Sequence, residues 1–105
     1  MRRARAIPRS PTSSLTQVVI FSKSFCPYCH KAKDAFRSIG VKPFVMELDD
    51  RPDMDDIQNA LKDLTGQRSV PRVFIDGVFI GGGDDTAAAA ANGSLLAKCK
   101  AAGAQ

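Results

Sequence analysis

The feature that most constrains this chain is the order of its first three elements. Gln17-Val-Val-Ile-Phe21 is a short β-branched apolar run, as expected for a strand buried on both faces. A helical pattern follows from about Pro27 to Ile39, with Ala32, Ala35, Phe36 and Ile39 on one face and Gly40 at its end. A second strand is expected from Phe44 to Leu48. A strand–helix–strand opening demands a parallel pair joined by a crossover helix. Pro52 with Asp53, Asp55 and Asp56 marks the start of a second helix, whose expected buried stripe is Ile57, Ala60, Leu61 and Leu64 and whose end is Gly66. Arg72 to Ile75 and Val78 to Ile80 read as strands around a type I′ hairpin at Asp76-Gly77. Asp84-Asp85 opens an Ala-rich helix to Ala91, Asn92-Gly93 ends it, and Ser94 is the expected cap of a last helix. The expected fold is α/β: a four-stranded mixed sheet, two parallel strands and then an antiparallel hairpin, with helices on both faces.

Length and charge narrow the function. At 105 residues the chain suits one domain. It shows no heptads and no fixed repeat, and no run of eighteen apolar residues, so no membrane partner is expected. The net charge of +4 comes from Arg2, Arg3, Arg5 and Arg9 at the N-terminus. The remaining eleven cations balance the 11 acids, so the body carries no basic face for nucleic acid. Residues 1–15 are expected to be a flexible basic tail, and residues 16–105 the domain. The tail lacks an apolar h-region but has the Arg/Ser-rich, acid-free composition of a transit remnant. Three cysteines, Cys26, Cys29 and Cys99, are too few and too odd in number for a secreted disulfide framework. A cytoplasmic location is expected, with plastid or mitochondrion as the alternative.

Cys26-Pro27-Tyr28-Cys29 lies where the first strand ends and the first helix begins. The first N–H groups of a helix lack partners, and the macrodipole adds positive charge there. A thiolate at Cys26 is stabilised by both, and Lys23 adds a cation if the loop folds back. Cys29, inside the first turn, is expected to keep ordinary thiol acidity. Cys26 therefore attacks and Cys29 resolves. A zinc site would need two further ligands at suitable spacing, and His30 points away, so no metal is expected. A structural disulfide remains an alternative. Cys99 reads as a surface or half-buried bystander, and His30 as solvent-facing.

Three segments together resemble the glutaredoxin family of the dithiol CPYC type, within the thioredoxin-like fold: Phe21-Ser-Lys-Ser-Phe-Cys-Pro-Tyr-Cys29, Thr65-Gly-Gln-Arg-Ser-Val-Pro71 and Ile80-Gly-Gly-Gly-Asp-Asp85. The resemblance spans roughly Thr16 to Ala101. It implies a glutathione-disulfide oxidoreductase, a thioltransferase that reduces protein disulfides and glutathione–protein mixed disulfides, working as a monomer with glutathione as co-substrate. Cys26 and Cys29 would form the redox-active disulfide. Lys23, Tyr28, Gln58, Ser69, Val70, Pro71, Gly83, Asp84 and Asp85 would bind glutathione, with Gln67 or Arg68 nearby. Val70 would precede a cis-proline and pair with glutathione as an added strand. The Gly83-Asp84 N–H groups would take the γ-glutamyl carboxylate, Asp84 or Asp85 its ammonium, and Lys23 and Gln58 the glycyl carboxylate. Two departures stand out. Ser69 replaces the usual Thr, and Gly83 replaces Cys, Ser or Asn, which is expected to loosen the loop. The alternative function is a [2Fe–2S] carrier bridged by Cys26 and glutathione in a dimer; Pro27 opposes it, since cluster-binding relatives usually have Gly or Ser there. Thioredoxin itself is disfavoured by the absence of Trp.

Overall fold

The computed structural model describes residues 17–103; the tail expected over residues 1–15 lies outside them. Four strands, β1 (Val18–Ser22), β2 (Phe44–Glu47), β3 (Arg72–Ile75) and β4 (Val78–Gly81), combine with four helices, α1 (Pro27–Ser38), α2 (Met54–Thr65), α3 (Gly83–Asn92) and α4 (Ser94–Ala102). A 3₁₀ turn, Leu48–Asp50, follows β2. The sheet order is β2-β1-β3-β4. β1 and β2 are parallel, and the β1–β3 and β3–β4 pairs are antiparallel. This is the mixed sheet that the order of elements demands.

Alternation along the strands sorts the core. Val18 and Ile20 of β1 and Val73 and Ile75 of β3 share one face, where they are buried with Ala32, Ala35 and Phe36 of α1 and Leu95 and Cys99 of α4. Phe36 is the largest side chain that is fully buried, and its removal from water is worth roughly 1.5–3 kcal/mol. The other face carries Phe21, Phe74 and Phe79, with Phe21 edge-on to Phe74 at 5.7 Å between centroids. α1 is tied to the edge strand β2 by a half-buried Lys33–Glu47 ion pair of 2.8 Å. Burial opposes charge on Glu47, but the Lys33 ammonium and the Ser22 hydroxyl outweigh it and hold the carboxyl below its usual range.

Boundaries match the expected ones to within a residue or two. Asp76 and Gly77 both take positive φ, 51° and 81°, as a type I′ turn requires. Three expectations are corrected. In α2 the buried pair is Gln58 and Leu61, while Ala60 is exposed and Leu64 is 73% exposed. α2 packs chiefly against the 3₁₀ turn Leu48–Asp50, too small a surface to cover a four-residue apolar stripe. Ser94 does not cap α4. Gly93 does, so Ser94 lies one residue inside the helix and its N–H donates to Asn92 Oδ1 at 2.8 Å. Cys99 is no surface bystander; it is fully buried in the core, which pushes its thiol pKa up. Among the described residues no helix is long and apolar enough to cross a membrane.

Candidate active site

Cys26 is the N-cap residue of α1, with an extended backbone (φ −94°, ψ 119°) and Pro27 at the first helical position. A proline there loses nothing, because that N–H has no intrahelical acceptor. The Cys29 N–H donates to Cys26 Sγ at 3.4 Å. Opposite the sulfur stands the Val70 carbonyl, 3.9 Å away. The Val70–Pro71 peptide is cis, as the resemblance implies. Cys26 is half-buried and Cys29 wholly buried.

Cys29 is not the ordinary thiol expected of it. Burial above all pushes its pKa up from 9.0 to about 11, and the neighbouring Cys26 adds to this. The Lys23 N–H, donating to Cys29 Sγ at 3.4 Å, pulls the other way. The two sulfurs thus differ in access: Cys26 is half-buried and Cys29 is closed off from solvent. The loop before Cys26 does fold back: the Cys26 N–H donates to the Lys23 carbonyl at 3.2 Å. It is fastened by a residue the sequence reading missed. Asp49, in the 3₁₀ turn, accepts the Ser24 hydroxyl and, at 3.0 Å, the Ser24 N–H. Those bonds hold the Asp49 carboxyl below its usual range. His30 is exposed, as expected, and its Nε2 pairs with the Ser24 carbonyl at 3.0 Å.

A groove of about 560 Å³ runs from Tyr28 across Val70 and Pro71 to the start of α3. It gathers Tyr28, Ser69, Val70, Pro71, Gly83, Asp84 and Asp85 of the expected site. Two expected residues do not line it. Gln58 is buried, and its amide donates to the Arg68 carbonyl at 2.8 Å, so it braces the 66–71 loop from beneath. Lys23 contributes backbone contacts to both cysteines, and its ammonium acts on Asp49. The two acids are already engaged. Asp84 pairs with the Lys31 ammonium at 2.6 Å, both exposed, and Asp85 accepts the Gly82 N–H at 3.2 Å. Arg72 and Phe79 line the groove unforeseen. An arginine at a pleat position between apolar strand residues is the signal that was available.

Gly83 corrects the expected loosening. It is buried, and a Cβ there would lie 2.5 Å from the Tyr28 carbonyl oxygen. The glycine lets α3 close directly on α1. Gly81, at φ +134°, is equally confined, because its Cβ would meet the Asp85 side chain at 2.5 Å. Gly83→Ala should therefore force the two helices apart and cost about 1–3 kcal/mol, read as a lower urea midpoint at unchanged m-value. An unchanged midpoint would show that the contact yields freely.

The glutaredoxin family model matches residues 18–80. Glutaredoxin-C4 of Arabidopsis thaliana is 52% identical over 84 residues, covering 80% of this chain and 62% of that protein. Glutaredoxin-C8 of Oryza sativa subsp. japonica is 52% identical over 80 residues, covering 74% and 59%. The chain thus spans about 60% of the length of these two relatives. Oxidized glutaredoxin 2 from Chlamydomonas reinhardtii superposes with a TM-score of 0.82 at 51% identity, over 100% of both chains. A buckwheat glutaredoxin–glutathione complex superposes at 0.79 and 42% identity, over 84% and 80%. With the cysteine pair at the head of α1, the cis Val70–Pro71 peptide beside it and these matches, the chain belongs to the glutaredoxin family.

Proposed function

We propose that the protein is a glutathione-dependent thiol–disulfide oxidoreductase acting on glutathione–protein mixed disulfides and on protein disulfides. One observation carries this reading: Cys26 Sγ sits at the N-cap of α1 with the Cys29 N–H directed at it, while Cys29 is shut from solvent. The helix N-terminus turns its positive end toward the accessible sulfur, the one placed to react. As a thiolate, Cys26 attacks the glutathione sulfur of a mixed disulfide, and the protein leaves as thiolate. A second glutathione thiolate then attacks the glutathione sulfur bound to Cys26, releasing glutathione disulfide and restoring Cys26. Alternatively Cys29 loses its proton and attacks Cys26 Sγ. Glutathione leaves, and the resulting Cys26–Cys29 disulfide is reduced by two further glutathiones.

The groove suits the tripeptide. The Val70 backbone would pair with its cysteinyl unit, a reading supported by the 3.9 Å between the Val70 carbonyl and Cys26 Sγ. The N–H groups at the start of α3 suit the γ-glutamyl carboxylate. Its ammonium would displace Lys31 from Asp84, an exchange of two exposed ion pairs and therefore inexpensive. The glutathione bound by the buckwheat relative supports the same co-substrate. The test is reduction of a small glutathione mixed disulfide, with glutathione or thioredoxin reductase as the electron source. Turnover is expected with glutathione; turnover with thioredoxin reductase alone would overturn the reading.

A further inference from the structure

The groove continues past the face that carries the cysteines. Val73 and Ile75 of β3 enter the core beneath α1, so by alternation Arg72 and Phe74 project from the opposite face. Phe79, paired with Phe74 across the hairpin, shares that face. The groove lining joins Tyr28, Gly83 and Asp84 to Ser69, Arg72 and Phe79, and Arg72 Nη2 reaches the Gly82 backbone at the head of α3, 3.4 Å from where a Cβ there would lie.

Arg72 is the only cation among the lining residues. Its guanidinium stands 5.0 Å from the centroid of the Phe79 ring. Nε donates to the Pro71 carbonyl at 3.1 Å and Nη2 to the Ser69 hydroxyl at 3.4 Å. These contacts fix the fork in orientation and leave Nη1 free of any protein acceptor among the described residues. Among the described residues no carboxylate lies within 4 Å of it. Burial pushes its pKa down, and Asp85 offsets this only from longer range. A half-desolvated, oriented guanidinium without a counter-ion is costly to keep, and its planar fork matches a carboxylate.

We propose that Arg72, with the Ser69 hydroxyl beside it, forms a carboxylate-binding subsite in the groove next to Pro71 and Gly82, filled when substrate binds. The inference rests on the thiol–disulfide reading above. The carboxylate has two sources: the glycyl end of glutathione, or an acidic side chain flanking the modified cysteine of the protein substrate. kcat/KM is measured for wild type, Arg72→Gln and Arg72→Lys on two substrate pairs. One pair is glutathionylated peptides with Asp or Asn beside the cysteine. The other is one mixed disulfide carrying glutathione or its glycinamide. Wild type should favour the carboxylate member of one pair by about tenfold or more, as a charge-assisted pair implies. Arg72→Gln should bring that ratio within about twofold of unity, whatever its absolute rate, and Arg72→Lys should restore part of it. The pair that discriminates names the source. Equal treatment of both pairs by wild type, or discrimination that survives in Arg72→Gln, overturns the subsite.

A readout without turnover separates this from failure of the oxidoreductase reading. In the Cys26→Ser protein the Arg72 Nε–H resonance should shift on titration with glutathione or with the Asp peptide, and not with the amidated partner. No shift with either carboxylate overturns the subsite.

Discussion

Cys26→Ser will abolish reduction of a small glutathione mixed disulfide, by roughly 10³-fold or more, whereas Cys29→Ser will retain it. The first loss is chemical. A serine hydroxyl is a preferred N-cap group, so the variant keeps the bond from the Cys29 N–H and should be as stable as wild type or more so, by up to about 1 kcal/mol. What it lacks is a thiolate nucleophile. Cys29→Ser removes only the internal resolving thiol, and glutathione from solution resolves the intermediate on Cys26. The buried site will tolerate serine at a cost of about 1–2 kcal/mol, since a hydroxyl replaces a sulfur that accepts the Lys23 N–H. Steady-state turnover with thermal melts of both variants checks this. Equal inactivity of the two, with both folded, would show that Cys29 is needed even for the small substrate.

The second large effect is one of pH. Closure of the Cys26–Cys29 disulfide needs Cys29 as thiolate, and its pKa stands at about 11, chiefly through burial. The Cys26 contribution disappears once Cys26 carries glutathione, but burial does not. At pH 7 a thiol of that acidity is about 10⁻⁴ ionised, and the fraction rises about tenfold per pH unit. The rate of closure should therefore climb about tenfold per unit from pH 7 to beyond pH 9. The route resolved by glutathione should level off near pH ~8.5, where a free thiol ionises. Rapid-quench measurement of the glutathionylated Cys26 intermediate separates the two. A closure rate that is flat above pH 8 would mean that Cys29 is far more acidic than its burial implies.

The same group links stability to pH. Its folded pKa is raised above the ordinary 9.0, so the native state holds this proton more tightly than the unfolded chain does. The stabilisation is complete below pH 9 and fades as pH rises through about 11, by on the order of 2 kcal/mol. Cys99 is shifted in the same direction by burial alone. The contribution of Cys29 is therefore the difference in alkaline destabilisation between wild type and Cys29→Ser, read from urea midpoints at pH 8 and pH 10.5.

Local pattern alone was enough for some of this protein. The β-branched run before α1, the crossover to β2 and the Asp76-Gly77 hairpin required a mixed sheet, because each depends on residues adjacent in the chain and on the restricted backbone geometries open to them. The place of Cys26 at a helix start followed in the same way, from Pro27 and the strand before it. Residues far apart decided the rest. Helical spacing named Leu64 as buried and did not name Gln58, because spacing defines a stripe and not how much of it the rest of the fold covers. Cys99 looked peripheral between two lysines until α4 folded it into the core. Asp49 could be linked to Ser24 only once β2 lay beside β1. The close approach of Gly83 to Tyr28 exists only where α3 meets α1. Sequence by itself determined the architecture and the place of Cys26 at a helix start, since both rest on short-range backbone preference. Tertiary structure decided the acidity of Cys29, the engagement of Asp84 and the placing of Arg72 on Phe79, since desolvation and charge depend on which distant side chains the fold brings within a few ångströms.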